Sequence, residues 1–194
     1  MRACIAAGLG NGLQWRKSEA QIRPVQQRWT MLNPVRIAQS LADLCFSSRY
    51  KVEGDSMLPS LAHRQYLLLA PCRFSWNRIH RGDIVVLRHP DRPKEVYVKR
   101  VVGLPNEDLH IDGGVVYLNE NPLEEAYLAD TKAGAEGSIQ AWWTGPDEYV
   151  VLGDNRAAST DSRTFGTVGR RQIIGRVWFR FWPPRAWGRV AGPT

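Results

Sequence analysis

The sequence has few of the residues that build metal sites and disulfide frameworks. Only three of its 194 residues are cysteines and four are histidines. Cys4, Cys45 and Cys72 are odd in number and form no CxxC pair, which excludes a disulfide framework. No two histidines have the spacing of a helical metal-binding pair. We therefore expect neither a metal nor another cofactor.

Long apolar runs are also missing. A transmembrane helix needs about 18 or more consecutive apolar residues, and no such window occurs. The apolar run at residues 3–9 is soon followed by polar residues, which is too weak a pattern for a secretory signal. Residues 1–29 mix glycines, charges and glutamines without periodicity, and they indicate a poorly ordered tail.

Helical periodicity is confined to one short segment, for which we predict an amphipathic helix within residues 30–48. Asn33 is suited to the N-cap and Pro34 to the first helical position. Five residues fall on one apolar face at helical spacing: Ile37, Ala38, Leu41, Leu44 and Cys45. The helix is predicted to pack on the domain, with a position at a membrane surface as the alternative.

Residues 49–194 have the alternating pattern of a predominantly β domain, a barrel or a sandwich. Asp112-Gly113-Gly114 is typical of a tight hairpin turn, and residues 129–140 are small and polar, which favours an exposed loop. Eight strands are predicted, at residues 49–54, 65–70, 83–89, 95–104, 108–111, 115–118, 148–152 and 173–181.

The charge is strongly basic, +7 from 26 basic and 19 acidic residues. Such an excess favours nucleic acid, an anionic membrane surface or acidic partners. Residues 178–187 combine tryptophans and arginines. They fit a last strand with alternating core contacts, and they equally fit a patch at a membrane interface.

One predicted strand carries two adjacent basic residues, Lys99 and Arg100, in its middle. Successive side chains on a strand point to opposite faces. If Arg100 faces solvent, Lys99 must face inward. An inward lysine either extends its head group out to water or has a lowered pKa that lets it act as a base. To lower its pKa to near 7, the surroundings must disfavour the charged amine, relative to the neutral amine, by about 4–5 kcal/mol.

Four segments, taken in order, resemble type I signal peptidases. They are GDSMLPSL at residues 54–61, GDIVV at 82–86, KRVVGLP at 99–105 and GDNRAASTDSRTFG at 153–166. The resemblance extends from about Tyr50 to Pro184. It implies a signal-peptidase-like β catalytic domain and a serine endopeptidase that removes signal peptides from exported precursor proteins.

The resemblance also assigns roles to individual residues. Ser56 is the expected nucleophile and Lys99 the expected general base. Ser159 matches the serine that orients the lysine amine. Asp161 and Arg163 match the pair that holds their loop near the site.

Oxyanion binding and substrate binding are less well specified by the resemblance. The Ser56 N–H is the expected oxyanion donor. Part of the family has a second donor, a serine hydroxyl, where this chain has Gly54. The substrate is expected to bind as an extended strand. The residues expected to contact it are Val52, Gly54, Met57, Leu61, Tyr97 and Val98.

The expected partners are precursors that carry signal peptides, with peripheral contact to anionic membrane and no nucleic acid. Family members normally have a transmembrane helix before the serine motif, and this sequence offers only the short helix. The resemblance implies the outer face of the cytoplasmic membrane. Because no transmembrane helix is visible in the sequence, the alternative is a soluble, cytoplasmic maturation protease that processes one precursor, such as nickel superoxide dismutase.

Two other classes of protein compete with this interpretation. A basic, aromatic-rich nucleic-acid-binding β-barrel explains the charge but leaves the Ser, Lys and Asp-Ser-Arg motifs unused. An autoproteolytic repressor shares the Ser–Lys pair but needs a DNA-binding module, and residues 1–48 contain no helix-turn-helix pattern.

Overall fold

The computed structural model, which describes residues 48–71, 78–128 and 139–190, is built on two antiparallel sheets. The strands are β1 (Ser48–Lys51), β2 (Tyr66–Pro71), β3 (Ile84–Arg88), β4 (Val96–Gly103), β5 (Asp108–Asp112), β6 (Val115–Leu118), β7 (Asn121–Pro122), β8 (Gln140–Trp143), β9 (Glu148–Leu152), β10 (Val168–Gly169), β11 (Ile173–Trp182) and β12 (Gly188–Arg189). Among the described residues the helical elements are one α-helical turn, Ser162–Phe165, and the 3₁₀ turns Arg156–Ala158, Arg170–Gln172 and Pro184–Ala186. The expected predominantly β architecture is confirmed.

Some predictions cannot be compared with the structure. The tail at residues 1–29 and the helix predicted at 30–48 lie outside the described residues, apart from Ser48, which begins β1. Most of the loop predicted at 129–140 also lies outside them, and Gln140 begins β8.

The larger sheet has the strand order β1-β2-β11-β3-β4-β9-β10, with β12 paired to β11. The ten-residue strand β11 pairs with β2 on one edge and β3 on the other. In its first half Ile173, Gly175 and Val177 are buried while their neighbours are partly exposed. This alternation is the pattern of a strand with one face on the core.

The smaller sheet has the order β7-β6-β5-β8. Its hairpin between β5 and β6 turns at Gly113 and Gly114, whose φ angles are +53° and +82°. Two successive positive φ angles define a tight turn that glycine adopts without strain. Asp112 pairs with Val115 across the turn, so the hairpin predicted from the sequence is confirmed.

Residues 52–65 join β1 to β2 and carry Ser56, and we call them the serine loop. The hydrophobic cluster beneath β2, β3 and β11 matters most for the site because it contains side chains from this loop. Its buried members are Val52, Met57, Leu61, Leu67, Leu69, Ile84, Val86 and Val177. Met57 and Leu61 flank the outward-turned part of the loop and are almost fully buried. Burial of each such side chain stabilises the fold by about 1.5–3 kcal/mol. The serine loop is therefore anchored to the core at two points.

All eight predicted strands occur, with ends that differ by at most three residues. The largest difference is in β1, predicted to reach Gly54 but ending at Lys51. Gly54 has φ +88°, which is not an extended conformation, so the strand cannot include it. Four short strands were not predicted: β7, β8, β10 and β12.

Candidate active site

Local hydrogen bonds shape the loop that carries Ser56. The Val52 N–H donates to the carbonyl of Gln65 at 2.8 Å, and the Arg64 N–H donates to the carbonyl of Val52 at 2.9 Å. These two bonds close the base of the loop. Its interior folds into turns that leave the Ser56 side chain partly exposed.

Lys99 reaches this serine from β4. The register of the sheet pairs Lys99 with Val85 on one side, and the neighbouring Arg100 pairs with both Ile84 and Leu152. The Lys99 side chain crosses to the loop and its Nζ donates to Ser56 Oγ at 2.7 Å. The residue is only 3% exposed. The structure thus brings together a hydroxyl and an amine that are 43 positions apart in the sequence.

The surroundings of Lys99 weaken its hold on a proton. Burial lowers the pKa of Lys99 from its usual 10.5 to about 8. The negative charge of Asp161 raises this pKa, while the positive charge of Arg163 lowers it. At pH 7 about one such lysine in ten is neutral, compared with about one in 3,000 for a free side chain. A proton acceptor is therefore available at neutral pH.

Arg100 does not face solvent, although its exposure was the condition under which the sequence placed Lys99 inward. Its Nε and Nη2 donate to the two carboxylate oxygens of Asp154 at 2.8 and 2.6 Å. Its Nη1 donates to the carbonyl of Gly82 at 2.7 Å. Both Arg100 and Lys99 are buried because β4 is covered on both faces. A buried guanidinium is tolerated here because a carboxylate neutralises it in a bidentate pair.

Asp161 organises the long loop after β9. One of its carboxylate oxygens accepts from Gly153 N–H at 2.9 Å, and the two oxygens receive Nε and Nη2 of Arg163, each at 2.9 Å. Burial raises the pKa of Asp161, but the hydrogen bonds and charge of Arg163 outweigh burial and hold it below its usual value. The charged pair closes the loop against the end of β9, as expected for a charge-assisted contact.

Ser159 lies in the site but does not make the contact that was expected of it. Its Oγ is buried without a hydrogen-bond partner of acceptable geometry, so it does not hold the Lys99 amine in this structure. It lies close enough to Asp161 to contribute to the low pKa of that carboxyl, which indicates a loose contact. A Cβ on Gly153 would lie 2.1 Å from Ser159 Oγ and 2.6 Å from the carbonyl oxygen of Ser56. Only glycine at 153 therefore lets the two loops approach each other this closely.

Comparison with known proteins identifies the family. Residues 27–182 match the family described as signal peptidase, peptidase S26. The chain belongs to this family. The resemblance seen in the sequence is thereby confirmed, and the coarse activity is that of a peptidase that cleaves signal peptides.

Several signal peptidases are similar to this chain. Signal peptidase I of Leptolyngbya laminosa is 36% identical over 169 residues, which cover 82% of this chain and 80% of that protein. Signal peptidase I of Bacillus caldolyticus is 36% identical over 168 residues, which cover 81% and 91%. A crystal structure of signal peptidase I from Enterococcus faecalis aligns with 51% of this chain and 96% of its own, at 30% identity and a TM-score of 0.45.

Among the residues expected to contact the substrate, three are buried and others are partly exposed. Val52, Met57 and Leu61 belong to the hydrophobic core and are 3%, 2% and 0% exposed. Their contact with the substrate stays a prediction. Tyr97 and Val98 are partly exposed, and the Tyr97 ring centroid lies 5.6 Å from Lys99 Nζ.

Gly54 faces the open side of the loop, where a Cβ would meet nothing within 4 Å. Its φ of +88° suits glycine and strains other residues. Its N–H donates to Nδ1 of His63 at 3.1 Å. Since that N–H is already engaged, Gly54 supplies neither a side-chain nor a free backbone donor to Ser56.

Two features of the site were missed by sequence reasoning. Asn155 donates its backbone N–H to the carbonyl of Ser56 at 3.0 Å and its side-chain amide to the carbonyl of Asp55 at 3.2 Å. Arg156 forms a buried pair with Glu125 and donates to the carbonyl of Gly153 at 3.1 Å. The only available signal was that Asn155 and Arg156 belong to the polar motif after β9.

The described residues also bear on membrane attachment. Across 48–71, 78–128 and 139–190, none of the helices combines the length and apolar character that crossing a membrane requires.

Proposed function

We propose that this chain is a serine endopeptidase that cleaves N-terminal signal peptides from exported precursors, with Ser56 as the nucleophile and Lys99 as the general base. The 2.7 Å contact between Lys99 Nζ and Ser56 Oγ carries the proposal. A nucleophile and its base must lie within about 2.6–3.2 Å of each other, and this pair meets that requirement.

The protonation state of Lys99 decides the direction of this hydrogen bond. When the amine is protonated, it donates to Ser56 Oγ, and the serine has no base. When the amine is neutral, its lone pair accepts the Ser56 hydroxyl proton across the same distance. The buried site lowers the pKa of Lys99 to about 8, which raises the fraction of this second state to about one in ten at pH 7.

Acylation begins when Ser56 Oγ attacks the carbonyl carbon of the scissile peptide bond. The new C–O bond forms as the carbonyl π electrons move onto oxygen, and the hydroxyl proton moves to Lys99 Nζ. The C–N bond then breaks, and Lys99 returns the proton to the leaving amine. An ester on Ser56 remains, and the mature protein leaves with a new amino terminus.

Deacylation repeats the same proton transfers with water. Neutral Lys99 takes a proton from a water molecule that attacks the ester carbonyl, and it returns the proton to Ser56 Oγ as the C–O bond breaks. The released signal peptide carries the new carboxylate, and the site returns to its starting state.

The negative charge on the carbonyl oxygen needs a hydrogen-bond donor in both steps. Among the described residues the Ser56 N–H donates to no other group, so it is available for this role. Gly54 lacks a hydroxyl and its own N–H is held by His63. We assign the oxyanion contact to the Ser56 N–H.

The substrate is proposed to add as a strand beside β4. One edge of β4 pairs with β3 along residues 96–100, and on the other edge β9 begins only at Arg100. Residues 96–99 therefore offer backbone groups on an edge that has no partner strand among those described. An extended peptide bound there lies next to Lys99, which is the geometry of β-augmentation.

Peripheral contact with anionic membrane is proposed for the far end of β11. Trp182 and Trp187 are 51% and 65% exposed, and Tyr66 is 37% exposed beside them, paired with Trp182 across the sheet. Exposed tryptophans next to arginines such as Arg185 and Arg189 suit the polar boundary of a bilayer. Such contact would place the site near precursors held at a membrane.

The test is cleavage of a precursor that carries a signal peptide, with and without vesicles that contain anionic lipid. We expect cleavage by the unaltered protein and none by Ser56→Ala or Lys99→Ala. Ser48→Ala and Lys94→Ala remove the same groups at exposed positions and are the matched controls. Activity of the unaltered level in either site variant would refute the proposed pair, and a rate unaffected by vesicles would refute the membrane contact.

A further inference from the structure

The peptide unit that joins Asp55 to Ser56 is held from one side. The carbonyl of Asp55 accepts two hydrogen bonds, one from the Leu58 N–H at 3.2 Å and one from Asn155 Nδ2 at 3.2 Å. The first is a turn within the serine loop itself. The second comes from a separate loop, 100 positions away in the sequence.

Fixing this carbonyl also fixes the N–H that follows it. A trans peptide unit is planar, so the C=O of Asp55 and the N–H of Ser56 point in opposite directions. Rotation of the unit moves both groups together. The Asn155 side chain, together with the Leu58 N–H, therefore fixes the direction of the Ser56 N–H without contacting it.

The direction of this N–H matters more here than in a site with several donors. Gly54 provides no hydroxyl, and its N–H is engaged with His63. Among the described residues the Ser56 N–H is itself unengaged. A donor stabilises an oxyanion only when it points at the place where the charge develops.

We propose that Asn155 is a positioning residue that aims the Ser56 N–H at the oxyanion by holding the Asp55 carbonyl. This inference rests on the proposed function, since it assumes that Ser56 is the nucleophile. The side-chain amide of Asn155 acts on the transition state through the Asp55–Ser56 peptide unit and does not contact the substrate.

Removal of the Asn155 side chain should leave the rest of the loop in place. Its backbone N–H still donates to the carbonyl of Ser56 in any variant. Met57 and Leu61 keep the loop anchored in the core. Arg180 also holds the loop by donating to the carbonyl of Ser60 at 3.2 Å. The expected defect is therefore in chemistry and not in folding or substrate binding.

The first experiment compares Asn155→Ala, Asn155→Asp and Asn121→Ala in steady-state cleavage of a signal-peptide substrate. We expect kcat to fall about 10- to 100-fold in Asn155→Ala, below the roughly 100- to 1,000-fold loss of a whole oxyanion donor, with KM changed less than about threefold. Asn155→Asp should lose at least as much, because a carboxylate oxygen faces the Asp55 carbonyl without a donor. Asn121 makes an equivalent amide-to-carbonyl bond, at 2.9 Å to Asn119 O, on the smaller sheet, and its variant should keep kcat unchanged.

The second experiment uses a peptide aldehyde with the sequence of the residues before the cleavage site. Ser56 Oγ adds to the aldehyde carbon, the carbonyl π electrons move to oxygen, and the serine proton moves to Lys99 or onto that oxygen. The adduct carries its oxygen in the oxyanion position. Its affinity should therefore fall in Asn155→Ala by about the same factor as kcat/KM.

The results distinguish failure of the proposed function from failure of the positioning role of Asn155. No cleavage by the unaltered protein, or full cleavage by Ser56→Ala, overturns the proposed function. If the unaltered protein cleaves and Ser56→Ala does not, the inference about Asn155 stands on its own result. It is overturned by an unchanged kcat in both Asn155 variants, by a loss confined to KM, or by a fall in kcat that only follows the folded fraction in circular dichroism.

Discussion

Replacing Lys99 with methionine should make the protein more stable at neutral pH while removing its activity. Methionine has about the length and volume of the lysine stem, so it fills the same buried space without a charge. The lowered pKa of Lys99 reflects the net cost of the ammonium in the folded state, to which burial contributes most. A fall from 10.5 to about 8 corresponds to about 3 kcal/mol, because each pKa unit is worth about 1.36 kcal/mol.

The free energy of unfolding depends on pH because Lys99 has a lower pKa in the folded protein than in the unfolded protein. Below pH 8 the lysine is protonated in both the folded and the unfolded protein, and the full cost of burial is present. Between pH 8 and 10.5 the unfolded protein binds more protons than the folded protein, so the free energy of unfolding rises with pH. The lost Lys99–Ser56 hydrogen bond offsets about 1 kcal/mol. The expected gain of Lys99→Met at pH 7 is therefore about 2 kcal/mol.

Urea unfolding of both proteins from pH 6.5 to 10.5 measures this difference. Other titrating groups are common to both, so their effects cancel in the comparison. The gain should be largest near pH 7 and should shrink steadily above pH 8. Equal stability of the two proteins at pH 7, or a gap that widens as the pH rises, would refute the account of a lysine held near neutrality by burial.

The remaining predictions concern rate and packing. Because neutral Lys99 is the reactive form, kcat/KM should rise about tenfold from pH 7 to 9 and level off above its pKa of about 8; a flat profile contradicts the assigned base. Asp161→Asn should move the midpoint of that profile to lower pH and Arg163→Gln to higher pH, since the two charges act on the lysine in opposite directions; shifts of the same sign would contradict the electrostatic account. Gly153→Ala should abolish most activity and lower Tm because the new Cβ overlaps Ser159 and the carbonyl of Ser56. Gly188→Ala, where a Cβ would meet nothing within 4 Å, should change neither. Similar Tm and kcat values for the two variants would show that the close approach of the two loops at Gly153 is unimportant.

Much of the β architecture follows from the sequence because alternation is a local signal. The hairpin at Gly113-Gly114 and the strands of at least four residues that begin at Tyr66, Ile84 and Val96 could be located from pattern and turn chemistry. Two-residue strands such as β7 and β10 carry no detectable period. They form only because a neighbouring strand supplies the hydrogen bonds.

The candidate site depends on contacts between residues that are distant in sequence, and local sequence patterns do not predict such contacts. Alternation places Lys99 inward only if Arg100 faces solvent, whereas both residues are buried. The burial of Arg100 depends on Asp154, which is distant in sequence. The sequence also does not show that Met57, next to Ser56, packs in the hydrophobic core. Its contact with the substrate stays a prediction. The roles of Ser159, Asp161 and Arg163 stay predictions until the variants are measured.

The most direct test of the central claim is to trap the covalent intermediate. The protein is mixed with a signal-peptide substrate, quenched with acid within the first turnovers, digested and analysed by mass spectrometry. The account predicts the mass of the acyl group on the peptide that contains Ser56, no adduct in Ser56→Ala and almost none in Lys99→Met. An acyl group on a different residue, or undiminished turnover by Ser56→Ala, would contradict it.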